Sequence, residues 1–158
     1  MKLNRSDARS AVLAVAAAVC AAPLLAQAQA PSRAEQAIKY RQAVFTLLGY
    51  NIGPISAMMK GEIPFDARQA ELHATRLAQV APMFVEGFPD GTQSGAPTKA
   101  RAEIWSNTDD FRAKARDLET ATQRLVEATR SGEQRQVGQA LGGVGNACKA
   151  CHDSYRAK

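Results

Sequence analysis

Two cysteines and a histidine are clustered in the run Cys148-Lys149-Ala150-Cys151-His152. Residues three apart lie on one face of a helix, so each of the two thiols can add to one vinyl group of the same porphyrin. His152 follows directly and can place a ring nitrogen on the iron, as a proximal histidine commonly does in haem proteins. The C-x-x-C-H spacing therefore predicts one covalently attached haem c per chain.

Two other interpretations of the cysteine pair agree less well with the rest of the sequence. A thioredoxin-like dithiol is expected beside a βαβ pattern, and no strand-like segment precedes Cys148. A structural zinc site needs four nitrogen or sulfur ligands. The other histidine is His73, and the remaining cysteine, Cys20, lies in the N-terminal apolar region. Covalent haem attachment is the interpretation that this composition favours.

The first 30 residues have the pattern of a secretory signal peptide. A positively charged start precedes a short apolar run, Ala11 to Val19, and two A-x-A cleavage sites end at Ala28 and Ala30. A membrane-spanning helix needs about 20 apolar residues, so this run is too short for one. We expect residues 1–30, including Cys20, to be removed on export; a retained anchor and a lipid-modified cysteine are the alternatives.

Composition limits the class of the mature protein. The chain has 158 residues and a formal charge of +5, which becomes +3 when residues 1–30 are removed. We therefore expect one domain, residues 31–158, with no basic cluster suited to nucleic acid and no membrane association. The two cysteines that remain cannot build a disulfide framework, although the export signal indicates an oxidising compartment.

Apolar residues recur at helical spacing in four segments of the mature chain, and no segment alternates as a strand does. The segments are about Arg33–Lys60, about Ala67–Phe84 with an Asp66 cap, a third that Ser106 or Thr108 caps and Ser131-Gly132 ends, and about Glu133–Arg156. Gly53-Pro54 is expected to kink the first, and a long loop, Gly87 to about Thr98, separates the second from the third. This pattern predicts an all-α, antiparallel up-down four-helix bundle.

Both cysteines lie in phase with the apolar residues of the last helix. Val137, Leu141 and Val144 lead to Cys148 and Cys151 in steps of four and three residues. A haem attached there is therefore expected to face the core of the bundle.

Three stretches resemble cytochrome c′, a class II bacterial c-type cytochrome. They are Lys39-Tyr40-Arg41-Gln42, Glu103-Ile104-Trp105 and the run from Cys148 to Arg156. The resemblance covers nearly the whole mature chain. It implies a periplasmic and usually homodimeric protein, with a five-coordinate haem iron that binds NO and CO.

The resemblance also assigns roles to individual residues. Cys148 and Cys151 would form the thioether links, and His152 would be the axial iron ligand. Arg41 and Gln42 match residues near the haem propionates, where the fixed fork of an arginine suits a carboxylate. A solvated helix charge is the alternative for Arg41.

Three further residues of the site follow from the resemblance. Phe45 falls at the position facing the iron, with ordinary core packing as the alternative. Arg156 would lie beside the proximal histidine or else be a charge favoured by the helix dipole. Thr98 lies where the loop of the family approaches the haem. Met58 is 13 residues beyond Phe45, roughly 20 Å along a helix, so it is expected to pack rather than ligate, as is His73.

The function implied is NO binding or detoxification without turnover, and the protein is not expected to be an enzyme. Phe45 has no lone pair, so it would keep the sixth coordination position apolar and give no help to bound O₂. The alternative is a one-electron carrier that exchanges electrons with redox partner proteins. A peroxidase is not supported, because no distal pair of His and Arg is evident.

Overall fold

The computed structural model describes residues 30–158, and the signal-peptide prediction lies outside them apart from Ala30. The described chain forms five α-helices and one 3₁₀ helix. Their bounds are α1 Arg33–Met59, α2 Ala67–Val80, the 3₁₀ helix Ala81–Gly87, α3 Glu103–Ser106, α4 Thr108–Arg130 and α5 Gln134–Tyr155. The predicted all-α four-helix bundle is confirmed, with α1, α2, α4 and α5 as its long helices.

The four long helices form a closed ring of neighbours. α4 packs against both α2 and α5, and α1 packs against α2 and, less extensively, against α5. Their facing sides bury an apolar core that includes Val44, Ile55, Leu77, Leu125 and Val137. Among residues 30–158, no helix is both long and apolar enough to cross a bilayer.

Side-chain caps fix the start of two helices. Ser32 and Glu35 form a reciprocal capping box at the start of α1. Asp66 accepts hydrogen bonds from the backbone N–H groups of Arg68 and Gln69, so the predicted cap of α2 is confirmed. α1 continues through Pro54, the site of the expected kink, to Met59.

Two predicted boundaries are wrong. α2 ends at Val80 rather than Phe84, and the chain continues as a 3₁₀ helix that contains Pro82. Proline has no N–H for the α-helical bond, whereas the tighter turn tolerates it at its start. The cap of α4 is Asn107, without a side-chain hydrogen bond, while Ser106 belongs to α3, a short helix that was not predicted.

The buried face of α1 also differs from the apolar stripe in the sequence. The helical spacing of apolar residues in this segment includes Phe45 and Met59, but Phe45 is 39% exposed and Met58 is the buried methionine. Two polar residues, Arg41 and Asn51, are buried on this helix. Asn51 is accounted for locally, since its Nδ2 donates to a backbone carbonyl one turn earlier and its Oδ1 meets the His73 ring at 3.1 Å.

Candidate haem site

A cavity of about 600 Å³ lies between α1, the 3₁₀ helix, α4 and α5. Its walls are mainly apolar, and its volume falls in the range of roughly 300–1,000 Å³ that is usual for cofactor pockets. All the residues singled out from the sequence and the resemblance line it: Arg41, Gln42, Phe45, Thr98, Cys148, Cys151, His152 and Arg156. The fold therefore brings together residues that are up to 115 positions apart in the sequence.

The thiols of Cys148 and Cys151 project from the last two turns of α5. Both residues are half-buried and free. Burial raises the pKa of the Cys148 thiol, and it raises that of Cys151 to about 11, so both are neutral at pH 7. Two neutral thiols three residues apart, facing one cavity, are the donor set that two thioether bonds to a single porphyrin require.

His152 lies at the rim of the cavity, directly after the second cysteine. Partial burial of the ring, followed by the charge of Arg156, lowers the pKa of the His152 imidazole. A lowered pKa favours the neutral ring, which is the form that can ligate a metal. The electrostatics of this residue are therefore compatible with an axial iron ligand.

The apolar part of the α1 wall, which follows Arg41 and Gln42, is formed by Phe45, Leu48, Gly49 and Ile52. The Phe45 ring packs against Phe84 of the 3₁₀ helix, with 5.5 Å between ring centroids. These residues offer neither a side-chain hydrogen-bond donor nor a ligand atom. Phe45 is thus part of the cavity wall rather than of the fully buried core.

Arg41 is buried and holds the loop that follows the 3₁₀ helix. Its Nη1 donates to the carbonyl oxygens of Gly87 and Thr92, both at 3.1 Å, and its Nη2 donates to Thr98 Oγ1 at 3.1 Å. The guanidinium also lies over the Phe88 ring, 4.8 Å from its centroid. Burial lowers the pKa of Arg41.

No carboxylate among residues 30–158 forms a salt bridge with Arg41. Burying a charge without a counter-ion is costly, because neutral oxygens compensate it only in part. A buried guanidinium at the wall of an apolar cavity therefore fits a ligand that carries carboxylates. Haem meets this condition through its two propionates.

Gln42 and Thr98 extend this polar side of the cavity. The Gln42 Nε2 donates to the Pro97 carbonyl at 2.9 Å, and the Thr98 Oγ1 accepts from the Ala100 N–H at 3.2 Å as well as from Arg41. The structure thus places Thr98 beside Arg41, although the sequence linked it to the site only through the resemblance.

The cations that line the cavity have no acidic counterpart on its walls. Besides Arg41 and Arg156, the cavity is lined by Lys99 and Lys114, and no Asp or Glu of the described range lines it. Lys114 lies 3.7 Å from Asp110, one helical turn away. Lys99 belongs to the Thr98-Lys99 stretch that the resemblance places near the haem, whereas the sequence shows no signal for Lys114, which reaches the site from α4. Their charges again suit an anionic cofactor.

Tyr155 is a further site residue that sequence reasoning missed. It is buried, lines the cavity and donates a hydrogen bond of 2.5 Å from its hydroxyl to Asp110 Oδ2. Burial and this hydrogen bond raise the pKa of Tyr155 to about 12. Its position one turn after Cys151, in phase with the apolar stripe, was an available signal.

The other candidates for iron ligands lie away from the cavity. Within residues 30–158, the lining includes no methionine and no histidine other than His152. Met58 is packed in the core, and His73 pairs with Asn51. Their predicted roles in packing agree with these positions.

Comparison with known proteins agrees with this geometry. The family model for cytochrome c′ matches residues 36–156. Cytochrome c′ from Rubrivivax gelatinosus is 35% identical over 122 residues, which cover 77% of this chain and 95% of the relative. The structure of cytochrome c prime from Shewanella frigidimarina is 36% identical and superposes with a TM-score of 0.77, covering 80% of this chain and 98% of that one.

A third relative was solved with a ligand. The nitric oxide complex of a mutant of cytochrome c prime from Alcaligenes xylosoxidans is 35% identical, with a TM-score of 0.75 and coverage of 80% of this chain and 98% of that one. The identities and the near-complete coverage of the relatives establish common membership, beyond a shared helical fold. This chain belongs to the cytochrome c′ family, and its cofactor is the covalent haem c that members of the family bind.

Proposed function

We propose that this protein is a periplasmic haem c protein with a five-coordinate, high-spin iron that binds NO and CO and serves in NO binding or detoxification. The observation that carries the proposal is the composition of the cavity. Among the described residues, His152 is its only histidine, it has no methionine, and the part of its α1 wall that follows Gln42 is apolar. One protein ligand on the iron leaves a coordination position free for a gas.

The residues of α5 would hold the cofactor. Cys148 and Cys151 would form the thioether bonds, and His152 would ligate the iron from the same helix. When bound, haem c supplies an iron to which a diatomic gas can bind. Arg156 would lie beside the His152 ring, where its charge adds to the effect of burial in lowering the pKa of that imidazole.

The propionates would be held on the loop side of the cavity. Arg41 supplies a buried cation, while Gln42 and Thr98 add polar atoms next to it. On the α1 wall, Phe45 would exclude water and crowd the free coordination position. Because Phe45 cannot donate a hydrogen bond, bound O₂ would gain no polar stabilisation. The binding of NO and CO would be affected least by this lack of a donor.

Export and assembly complete the proposal. The signal peptide would be cleaved after Ala28 or Ala30, and residues 31–158 would form a single haem-binding domain. Two such chains would form a homodimer. The nitric oxide complex of the Alcaligenes xylosoxidans relative supports a gaseous ligand. The proposed role is binding rather than turnover, and therefore includes no enzymatic activity.

The spin state of the purified holoprotein tests this function. Optical and electron-paramagnetic spectra of the ferric form, and optical spectra of the ferrous form with and without NO, would be recorded. We expect a high-spin, five-coordinate haem that takes up NO. A low-spin haem that resists NO would show that a second side chain ligates the iron, and it would refute the proposal.

A one-electron carrier is the second candidate, and the charge around the cavity favours it. Lys99 and Arg156 are exposed while also lining the cavity. Such a cationic rim could steer acidic redox partner proteins to the haem edge. Slow self-exchange and no electron transfer to acidic partner proteins would count against this candidate.

A further inference from the structure

The loop before α3 pairs with the backbone that follows the haem-binding motif. Ala100 and Arg156 form an antiparallel bridge. The Arg101 N–H donates to the Tyr155 carbonyl at 3.0 Å, and the Ala157 N–H donates to the Lys99 carbonyl at 2.8 Å. We call this pairing of residues 99–101 with residues 155–157 the strap.

The strap lies where α5 would otherwise be weakest. α5 ends at Tyr155, so His152 sits in its last turn. Last turns of helices fray, because their final carbonyls lack helical partners. In this helix the Tyr155 carbonyl accepts from Arg101 instead, and the Arg156 N–H closes the final turn on the His152 carbonyl at 3.1 Å. The segment bearing His152 is therefore held by a hydrogen bond within the helix and by a hydrogen bond from the strap.

The other side of the strap is connected to Arg41. Thr98 Oγ1 accepts hydrogen bonds from the Arg41 Nη2 and from the Ala100 N–H, at the point where the strap begins. The buried Arg41 is itself fixed by the Gly87 and Thr92 carbonyls. A continuous run of hydrogen bonds thus joins the buried arginine of α1 to the last turn of α5.

We propose that the strap is a positioning element for the axial ligand: its backbone bonds, those of Lys99 with Ala157 and Arg101 with Tyr155, hold the last turn of α5 so that His152 presents its ring to the cavity at a fixed distance and angle. The inference rests on the proposed function only in taking His152 as the iron ligand. The strap also links this ligand to the loop that holds the Arg41 side of the cavity. Loosening the strap weakens the iron–histidine bond without removing any side chain of the site.

The test replaces a single N–H group. Ala157→Pro removes the donor to the Lys99 carbonyl, and Arg156 already has the extended backbone, φ −115° and ψ 127°, that a following proline requires. Ala157 is exposed, so little packing is lost. Ala157→Gly is the matched control, because it keeps the N–H.

Two kinds of measurement on the holoproteins report on the strap and on the iron bond. Hydrogen exchange of the Arg101 amide reports opening of the strap, and we expect it to be about fivefold faster in A157P, the effect of one lost backbone bond. The iron–histidine stretching frequency of the ferrous protein is expected to fall. The paramagnetically shifted ring-proton resonances of His152 in the ferric protein are expected to move. A157G should match the wild type in all three.

Either of two outcomes would overturn the proposal. If the Arg101 amide exchanges at the wild-type rate in A157P, the strap is not held by this bond. If exchange is faster while the stretching frequency and the His152 resonances are unchanged, the strap secures the chain but does not position the ligand. Hydrogen exchange of the Arg101 amide does not depend on an open sixth position, and the resonances of A157P and the wild type are compared in the same coordination state. Failure of this proposal is therefore distinguishable from failure of the gas-binding proposal.

Discussion

Arg41 is the residue on which the polar side of the cavity depends. Its guanidinium supplies hydrogen bonds to the Gly87 and Thr92 carbonyls, which are 46 and 51 residues away in the sequence. Arg41→Leu would leave those buried acceptors without donors, at roughly 1–3 kcal/mol each. We expect the free energy of unfolding of the holoprotein to fall by about 3 kcal/mol, as measured in denaturant.

Arg112→Leu, on the exposed side of α4, is the matched control for this change. Its effect on the free energy of unfolding is expected to stay within about 0.5 kcal/mol, as for most surface substitutions. Equal losses in the two variants would show that the hydrogen bonds of Arg41 do not stabilise the loop.

Tyr155 makes the free energy of unfolding depend on pH in the alkaline range. Its pKa is about 12 in the folded protein against an ordinary value of 10, so the folded state retains its proton in the range where the unfolded state loses it. The stabilisation is complete below pH 10 and is lost as the pH rises toward 12. We expect Tyr155→Phe to lower the free energy of unfolding at pH 9 and to make it less dependent on pH between 10 and 12.

Tyr50→Phe, at an exposed ring, controls for the loss of a tyrosine hydroxyl. Denaturant unfolding at pH 9 and at pH 11 would measure both variants. If Y155F and wild type lose the same stability between these pH values, the pKa of Tyr155 is not raised in the folded protein.

At the residue scale, the sequence predicted the members of the cavity better than their contacts. Cys148, Cys151 and His152 form a local motif, so their convergence needs only a helix. The loop partners of Arg41 are non-local, and nothing in the sequence relates Arg41 to Thr92. The cationic lining by Lys114 was missed for the same reason, since it depends on how α4 packs against α5.

At the element scale, the cap of α2 can be tested against that of α4. Asp66 accepts two backbone hydrogen bonds at the start of α2, whereas Asn107 occupies the equivalent position of α4 without a side-chain bond. Asp66→Ala is expected to cost about 1 kcal/mol of stability, the usual loss for such a cap. Asn107→Ala should cost much less, because no capping bond is lost.

Thermal and denaturant unfolding of the two variants would be compared under one condition. Equal losses would mean that the Asp66 hydrogen bonds add nothing beyond helix propensity. The two losses of stability are directly comparable because both residues precede long helices of the same bundle.

The long helices were predictable because their periodicity is strong and their ends carry Gly, Pro or Asp. The shorter features were not, since they are decided by competition among similar signals. Ser106, Asn107 and Thr108 are three consecutive residues that can cap a helix. Ser106 is the last residue of α3, and Asn107 is the cap of α4. Pro82 lies just beyond the end of α2, but nothing in the sequence shows that the chain continues as a 3₁₀ helix.

At the scale of the whole molecule, the site exists only in the assembled bundle. α1, the 3₁₀ helix, α4 and α5 each contribute to the walls of the cavity. The strap joins the loop before α3 to the end of α5. The sequence, with its resemblance, could therefore predict which long helices form and which of the proposed site residues line one cavity. The cavity itself depends on how helices distant in sequence pack together.

We expect the proposed homodimer to form through the surface of α1 and α2 that faces away from the core. Leu47 and Tyr50 of α1 are 46% and 68% exposed, and Leu72 of α2 is 40% exposed. The Tyr50 ring also lies edge-on to His73 of α2, with 6.3 Å between centroids, which joins the two helices into one surface. A stable dimer buries about 1,200–2,000 Å² in total, and exposed apolar side chains of this kind are suited to its centre.

Leu47→Glu tests this assembly, with Ile63→Glu as the control. The exposed fraction of Ile63, 42%, is similar to that of Leu47, but Ile63 lies in the loop between α1 and α2. Sedimentation equilibrium of the wild type is expected to show a dimer at micromolar concentration. Because a buried carboxylate is strongly disfavoured, we expect L47E to weaken dimerisation at least about tenfold, or about 1.4 kcal/mol, while I63E leaves it unchanged. A monomeric wild type, or equal weakening by both variants, would show that this surface is not the interface.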